Sequence, residues 1–164
     1  MRRCTTVNDK GVPIMFRRVL VVLDAGPVAR RIVPWVRRLL IPVHGDVRLL
    51  VVLPPGRTVT AGSRTLLYAN QGEDAARDAA GVALAAIAAQ LRDDGLAVSS
   101  EVRFGDPGAV ALDVAQAWGA EAIALVDVPT RGVRRWLARS VADEIVQKSP
   151  LPVLVARASG QRAA

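Results

Sequence analysis

The stretch "GDPGAVALDVAQAWGAEAIALVDV", residues 105–128, contains one helix and the strand that follows it. Asp106 is a residue type that caps helices, and Pro107 suits the first helical position, where its missing N–H costs nothing. Gly119 is placed to end the helix. The aliphatic run after it predicts a strand over 121–128. A helix that leads directly into such a strand is typical of α/β proteins.

Strand and helix patterns alternate along the rest of the chain as well. Continuous aliphatic runs at 18–24 and 46–54 predict strands that are buried on both faces. The run at 97–104 alternates and contains polar residues, so it predicts a strand nearer the sheet edge, and 151–157 predicts a fifth strand. The segment 54–70 is rich in Pro, Gly, Ser and Thr and predicts a long loop.

The helices are predicted from apolar residues spaced three or four positions apart. The second helix is expected from about Glu73 to Asp93, with Gly95 as its stop. The buried positions are predicted to be Val28, Ile32, Trp35 or Val36, and Leu39 in the first helix; Leu84, Ile87 and Leu91 in the second; and Leu137, Val141 and Ile145 in the fourth.

Five strands alternating with four helices predict a Rossmann-like α/β fold, with an open parallel sheet and helices on both of its faces. The domain is expected to span residues 15–157. Residues 1–14 show no periodicity and predict a flexible tail, which leaves either Met1 or Met15 as the native start. Residues 158–164 are expected to fray.

The composition predicts an aliphatic core, because apolar residues make up 51% of the chain and aromatic residues 4%. A single cysteine, Cys4, and no evident signal peptide indicate a cytoplasmic protein. The net charge of +7 comes from 22 Lys and Arg against 15 Asp and Glu. These arginines are mostly dispersed along the chain, so we interpret them as a solvated surface and expect neither a membrane partner nor specific binding of nucleic acid.

Three stretches, in order along the chain, resemble the universal stress protein family. They are "MFRRVLVVLD" (15–24), "GDPGAVALDVAQAWGAEAIALV" (105–126) and "RGVRRWLARSVADEIVQKSPLPVLVAR" (131–157). The resemblance implies a five-stranded sheet with the strand order 3-2-1-4-5. In such open sheets ligands bind where the strand order reverses, which places a candidate site between strands one and four.

The resemblance also implies where a nucleotide site would lie, and that its motif is degraded. ATP-binding members carry G-x2-G-x9-G-[S/T] after strand four, and counting back from Ser140 places Val126, Pro129 and Arg139 on the three glycines. The strand-one aspartate of the family matches Asp24. The full candidate site is Asp24, Val52, Val126, Pro129, Arg139 and Ser140.

Each replacement of a glycine works against binding of phosphate by the loop backbone. Val126 adds a β-branched side chain, Pro129 removes an N–H donor, and Arg139 places a bulky group where bare N–H groups would face phosphate. We therefore expect a crevice that is narrowed by side chains, no cofactor and no catalytic or metal-binding residues. The resemblance then implies a non-catalytic stress-response or regulatory protein that does not bind ATP in the family mode.

The alternative is a sensor that binds ATP, AMP or another phosphorylated ligand through Asp24, Arg139 and Ser140, with slow hydrolysis at most. Guanidinium groups bind phosphate strongly, which is the argument for this alternative. For partners, we expect an unidentified protein and a second copy of the chain. The strand 151–157 would lie at an edge of the sheet, and its aliphatic residues favour a homodimer that pairs there.

Overall fold

The computed structural model describes residues 16–23, 27–55, 59–61, 64–67, 69–127 and 141–157. The predicted tails, Met15, Leu137 and the side chain of Val28 lie outside this description. In chain order the elements are β1 (Arg18–Leu23), a 3₁₀ helix (Pro27–Ile32), α1 (Val33–Leu40), a 3₁₀ turn (Ile41–Val43), β2 (Asp46–Leu53), β3 (Val59–Ala61), β4 (Arg64–Leu67), α2 (Ala69–Asp93), β5 (Ala97–Phe104), α3 (Pro107–Trp118), β6 (Ala122–Asp127), α4 (Val141–Lys148) and β7 (Val153–Arg157).

The main sheet has five strands in the order β5-β2-β1-β6-β7, and every neighbouring pair is parallel. Counted along the chain, this is the predicted order 3-2-1-4-5, which is thereby confirmed. The central strand is β1, where Val19 lies opposite Val47 of β2 on one side and Ala122 of β6 on the other. The two strands predicted near the edges, 97–104 and 151–157, are β5 and β7, which lie at the two edges of the sheet.

Alternate residues of β1 belong to two different core clusters, one on each face of the sheet. Val19, Val21 and Leu23 pack with the buried residues of α1 and α2. Leu20 and Val22 pack with those of α3 and α4. Because side chains alternate across a strand, a continuous apolar run supplies both faces, as the sequence predicted. The helices accordingly cover both faces of the sheet.

The predicted boundaries of α3 are confirmed at both ends. The Asp106 side chain accepts a hydrogen bond from the Ala109 N–H at 2.9 Å, and Pro107 is the first helical residue. Gly119 ends the helix with φ 71°, a left-handed conformation that costs glycine little. The loop after α2 uses the same device at Gly95, where φ is 84°.

The predicted buried stripe is wrong at Leu39 in α1 and at Val141 in α4. Leu39 is 44% exposed, while Val33, Val36 and Leu40 are buried. The buried residues Val33, Val36 and Leu40 keep α-helical spacing, and Leu39, one position before Leu40, is turned about 100° around the helix from it. Val141 is the first residue of α4 and is 39% exposed. Leu84, Ile87 and Leu91 of α2 are buried as predicted.

The segment 54–70 is not the uninterrupted loop that its composition predicted. It contains β3 and β4, which pair antiparallel as a separate two-stranded sheet. In addition, α2 begins at Ala69, before the predicted Glu73. The sequence does contain a signal for this hairpin, which the prediction missed. Residue types that favour strands occur at Val59–Thr60 and Thr65–Leu67, on either side of a Gly-Ser pair that suits a turn.

Candidate functional site

The candidate site lies where the carboxyl ends of β1 and β6 meet. From β1 the chain passes to β2 on one side and later returns to β6 on the other, so the strand order reverses between β1 and β6. Val22 of β1 lies opposite Leu125 of β6, so β6 ends one residue beyond the end of β1. This is the place at which open α/β sheets bind ligands.

The segments that follow β1 and β6 contain most of the site residues predicted from the sequence. Asp24 directly follows β1, and Val126 is the penultimate residue of β6. The other loop candidates, Pro129, Arg139 and Ser140, lie outside the described residues, as does Asp24. The predicted narrowing of the crevice therefore stays a prediction, and only Val126 and Val52 have observed surroundings.

Val126 is half-buried and packs against the core cluster beneath α1 and α2. Its backbone lies opposite Ala156 of β7. A glycine at this position, as in the ATP-binding motif implied by the resemblance, would have no side chain to make this contact. The isopropyl group therefore belongs to the packed layer on this face of the sheet, at the mouth of the crevice.

Val52 of β2 lies on the opposite face of the sheet from Val126. It is half-buried and packs against the cluster beneath α3 and α4. In the β1–β2 ladder, Leu23 lies opposite Val51, so Val52 stands one residue beyond the end of β1. The two valines thus flank the exit of β1, but their side chains point into different layers.

The family model described as "Universal stress protein family" matches residues 15–157. The chain belongs to the universal stress protein family. No curated protein matches the chain.

Solved structures share the fold of this universal stress protein. "Hypothetical protein MJ0577" is 20% identical, with a TM-score of 0.71 over 87% of this chain and 96% of that one. A universal stress protein from Archaeoglobus fulgidus in complex with dAMP is 19% identical, with a TM-score of 0.59 over 86% and 98%. A universal stress protein in complex with cAMP is 14% identical, with a TM-score of 0.60 over 87% and 98%.

A charged cluster around Trp118 is a feature that the sequence did not reveal. The guanidinium carbons of Arg18 and Arg48 each lie 4.9 Å from the centroid of the Trp118 ring. Arg48 also donates from Nε to Ser99 Oγ at 3.2 Å, and its Nη1 lies 3.6 Å from the Glu101 carboxylate. These contacts join β1, β2, β5 and the end of α3 at the amino ends of β1 and β2. The cluster is thus at the opposite end of β1 from the candidate site, and we interpret it as structural.

An open groove of about 320 Å³ lies between α3 and the exposed side of β5. Both charge signs line it, with Arg48 and Arg103 beside Glu101 and Asp113. Arg103 Nε donates to Glu101 at 3.0 Å, so part of this charge is internally compensated. Among the residues that the structure describes, no group of three His, Cys, Asp or Glu is placed to hold a metal ion. Within the same ranges no helix is both long enough and apolar enough to cross a bilayer.

Proposed function

We propose that this universal stress protein acts by binding other macromolecules, without catalysis and without the ATP-binding mode of its family. The observation that carries this proposal is the packed side chain of Val126. It stands at the carboxyl end of β6, where the family motif has its first glycine, and it contacts the core cluster on that face. A backbone that must approach a phosphate closely needs that position free of a side chain.

Two further replacements in the loop support the same conclusion. Pro129 takes the place of the second motif glycine and has no N–H to donate. Arg139 takes the place of the third, next to Ser140, which keeps the hydroxyl of the motif. Pro129 removes one backbone donor, and the side chains of Val126 and Arg139 stand where the motif glycines would let the backbone approach a phosphate closely. We therefore propose that the protein uses no cofactor. We also propose that it is cytoplasmic.

The second candidate function is a sensor of adenine nucleotides or of another phosphorylated ligand. Two structural neighbours are described as complexes with dAMP and with cAMP. In this chain the ligand would be held by side chains, with Asp24, Arg139 and Ser140 as the candidates, and any hydrolysis of ATP would be slow. Arg131, Arg134 and Arg135 add positive charge to the same loop. A guanidinium binds phosphate through two parallel hydrogen bonds and needs no glycine backbone.

Calorimetric titration with ATP and magnesium, AMP and cAMP separates the two candidates. We expect no binding at micromolar affinity, and no rise in melting temperature in a parallel thermal scan. A ligand present at a hundred times its dissociation constant would stabilise the fold by about 2.7 kcal/mol, which such a scan detects easily. The triple variant Val126→Gly, Pro129→Gly, Arg139→Gly restores the motif and is expected to gain affinity for ATP.

Tight binding of ATP by the unmodified protein would overturn the leading proposal in favour of the sensor. In that case Arg139→Ala distinguishes how the phosphates are held. A loss of affinity would assign the phosphate contact to the guanidinium, whereas unchanged affinity would assign it to the loop backbone. Lys148→Ala is the matched control, because it removes one exposed positive charge from α4, away from the loop.

The partner that we propose first is a second copy of the chain, bound along β7. Among the residues that the structure describes, this strand forms one edge of the main sheet and pairs with β6 only. Val153 and Val155 pack against the cluster on one face, and Leu154 and Ala156 against the cluster on the other. All four are only half-buried. An aliphatic edge strand with free backbone groups is a template for pairing, and a two-fold axis would set the two copies antiparallel.

A further inference from the structure

Three large apolar side chains are exposed close together on α1 and the turn that follows it. Trp35 is 50% exposed, Leu39 is 44% exposed and Ile41 is 37% exposed. The described residues contain three other large apolar side chains with comparable exposure, Val82, Val141 and Val146, and these lie on α2 and α4. Three of these six exposed apolar side chains thus lie within seven consecutive residues.

The fold does not require these side chains to be apolar. The opposite side of α1 supplies the core, where Val33 is 6% exposed, Val36 1% and Leu40 0%. Trp35 and Leu39 are four residues apart and therefore lie on one face of the helix. Burying a large apolar side chain typically stabilises a contact by about 1.5–3 kcal/mol, so the exposed face has considerable binding potential.

The same segment is strongly basic. Between residues 25 and 45 there are four arginines and no acidic residue. Arg30, Arg31 and Arg38 are exposed, and Arg38 stands three residues from Trp35. The fourth, Arg37, is bound by Asp94 in the turn after α2, with Nη2 at 3.0 Å from Oδ1. Asp94 therefore offsets the charge of Arg37, while the Arg30 and Arg38 side chains are exposed.

We propose that this surface, the α1 patch (Arg30, Arg31, Trp35, Arg38, Leu39 and Ile41), docks on a membrane rich in anionic phospholipid. The tryptophan ring, apolar with one N–H, suits the headgroup boundary, and Leu39, on the same face of α1, would enter the acyl region beneath it. The arginines would contact the lipid phosphates, each adding affinity near the surface. Basic residues that flank exposed Trp and Leu on one helix face are the arrangement found in interfacial helices.

This inference differs from the sequence-based expectation of no membrane partner. That expectation rested on arginines dispersed along the chain. In the structure, exposed arginines and exposed apolar side chains lie together on α1 and the 3₁₀ segments that flank it, and this combination favours a lipid surface over plain solvation. Since three apolar side chains are few, we expect the binding to be weak and reversible.

Co-sedimentation of the full chain with vesicles tests this proposal. The vesicles are phosphatidylcholine alone or phosphatidylcholine mixed with phosphatidylglycerol, at low and at high salt. We expect binding to the anionic vesicles only, and weaker binding at high salt because salt screens exposed charges. Arg38→Gln should lower the partition coefficient about five-fold, which corresponds to about 1 kcal/mol for one basic residue near the surface.

Two variants separate the apolar part of the contact from general effects on the fold. Trp35→Ser with Leu39→Ser should lower the partition coefficient by about ten-fold or more. Lys148→Gln on α4 is the control for Arg38→Gln, because it also removes an exposed positive charge. Val82→Ser on α2 is the control for the serine variants, because it also removes an exposed apolar side chain. The controls should bind vesicles as the unmodified protein does. Brominated lipid should quench fluorescence in the unmodified protein more than in Trp35→Phe.

Three results would overturn the proposal. One is no binding to anionic vesicles at low salt, and another is equal loss of binding in the control variants and the patch variants. The third is a fall in molecular mass for Trp35→Ser with Leu39→Ser in solution without lipid, which would make the α1 patch a contact between protein chains. The titration with ATP is independent of these vesicle experiments. Failure of membrane binding is therefore distinguishable from failure of the proposed function.

Discussion

The two edge strands of the main sheet, β5 and β7, differ in how they meet the solvent. On β5 the exposed positions include Ser99, Ser100 and Arg103, and the Arg92 side chain donates to the Val98 carbonyl at 2.8 Å. By contrast, β7 runs Val-Leu-Val-Ala before its first charged residue, Arg157. One edge is thus protected by charge and by a side-chain donor, while the other presents aliphatic side chains. Because natural proteins protect the edges that must stay unpaired, the contrast favours β7 as the pairing edge.

The largest effect is expected from placing a charge in β7. Val155 is half-buried against the cluster beneath α3 and α4, so Val155→Lys would put an ammonium group at the rim of that cluster, beside the proposed contact between two copies, where leaving it unpaired is costly. We expect the dissociation constant of the dimer to rise by about 100-fold or more, and Val153→Lys to act in the same direction. Light scattering over a dilution series measures the mass.

The matched control for this variant is Ser100→Lys on β5, which adds the same side chain to the other edge. Its mass should equal that of the unmodified protein. A mass near 17.4 kDa for the unmodified chain at tens of micromolar (about the range in which weak dimers still form) would show that β7 does not pair at all.

A second test makes β5 resemble β7. Glu101→Val with Arg103→Val removes the ion pair whose Nε–Oε2 distance is 3.0 Å and leaves an aliphatic edge. We expect association beyond the dimer, with about ten-fold more high-mass species by sedimentation velocity at equal concentration. The variant Asp74→Val with Asp93→Val adds two valines at exposed positions of helix α2 and should stay unchanged. If both variants associate equally, hydrophobicity alone would explain the effect and the strand edge would not.

A third variant separates association from stability. Asp106→Ala removes the hydrogen bond to the Ala109 N–H, and the loss of such a cap typically costs about 1 kcal/mol of unfolding free energy. Urea denaturation measures that loss. The dissociation constant of the dimer should not change, because Asp106 lies two residues after β5, which is at the other edge of the main sheet from β7. A weaker dimer in this variant would mean that the β7 results report lost stability rather than a lost contact.

The smallest effect is expected from Arg92→Ala at the protected edge. It removes an exposed hydrogen bond to the Val98 carbonyl, and such a bond contributes about 0.5–1 kcal/mol. The melting temperature should fall slightly and the mass should stay the same, as light scattering can verify. An increase in mass would show that this single donor is what keeps β5 from pairing, and would sharpen the contrast between the two edges.

Much of the fold could be predicted because it depends on local patterns. The aliphatic runs located all five strands of the main sheet. Asp106 marked the start of α3 through its capping side chain, and Gly119 marked the end because it has no side chain. The hairpin of β3 and β4 was missed because Pro, Gly, Ser and Thr dominate its surroundings. At the candidate site, counting back from Ser140 placed Val126 where the motif has glycine, and the structure then showed what its side chain contacts.

The sequence by itself determined the order and type of the main elements, since strand and helix periods are properties of consecutive residues. It also determined which residue types occupy the loop after β6. Tertiary structure decided which side chains meet across the chain and which stay exposed. Arg37 and Asp94 are 57 residues apart, yet their side chains are in contact. Trp35 and Leu39 face solvent because the other side of α1, with Val33, Val36 and Leu40, packs into the core cluster. Such outcomes depend on how packed elements orient one another, and that information is not local to any stretch of sequence.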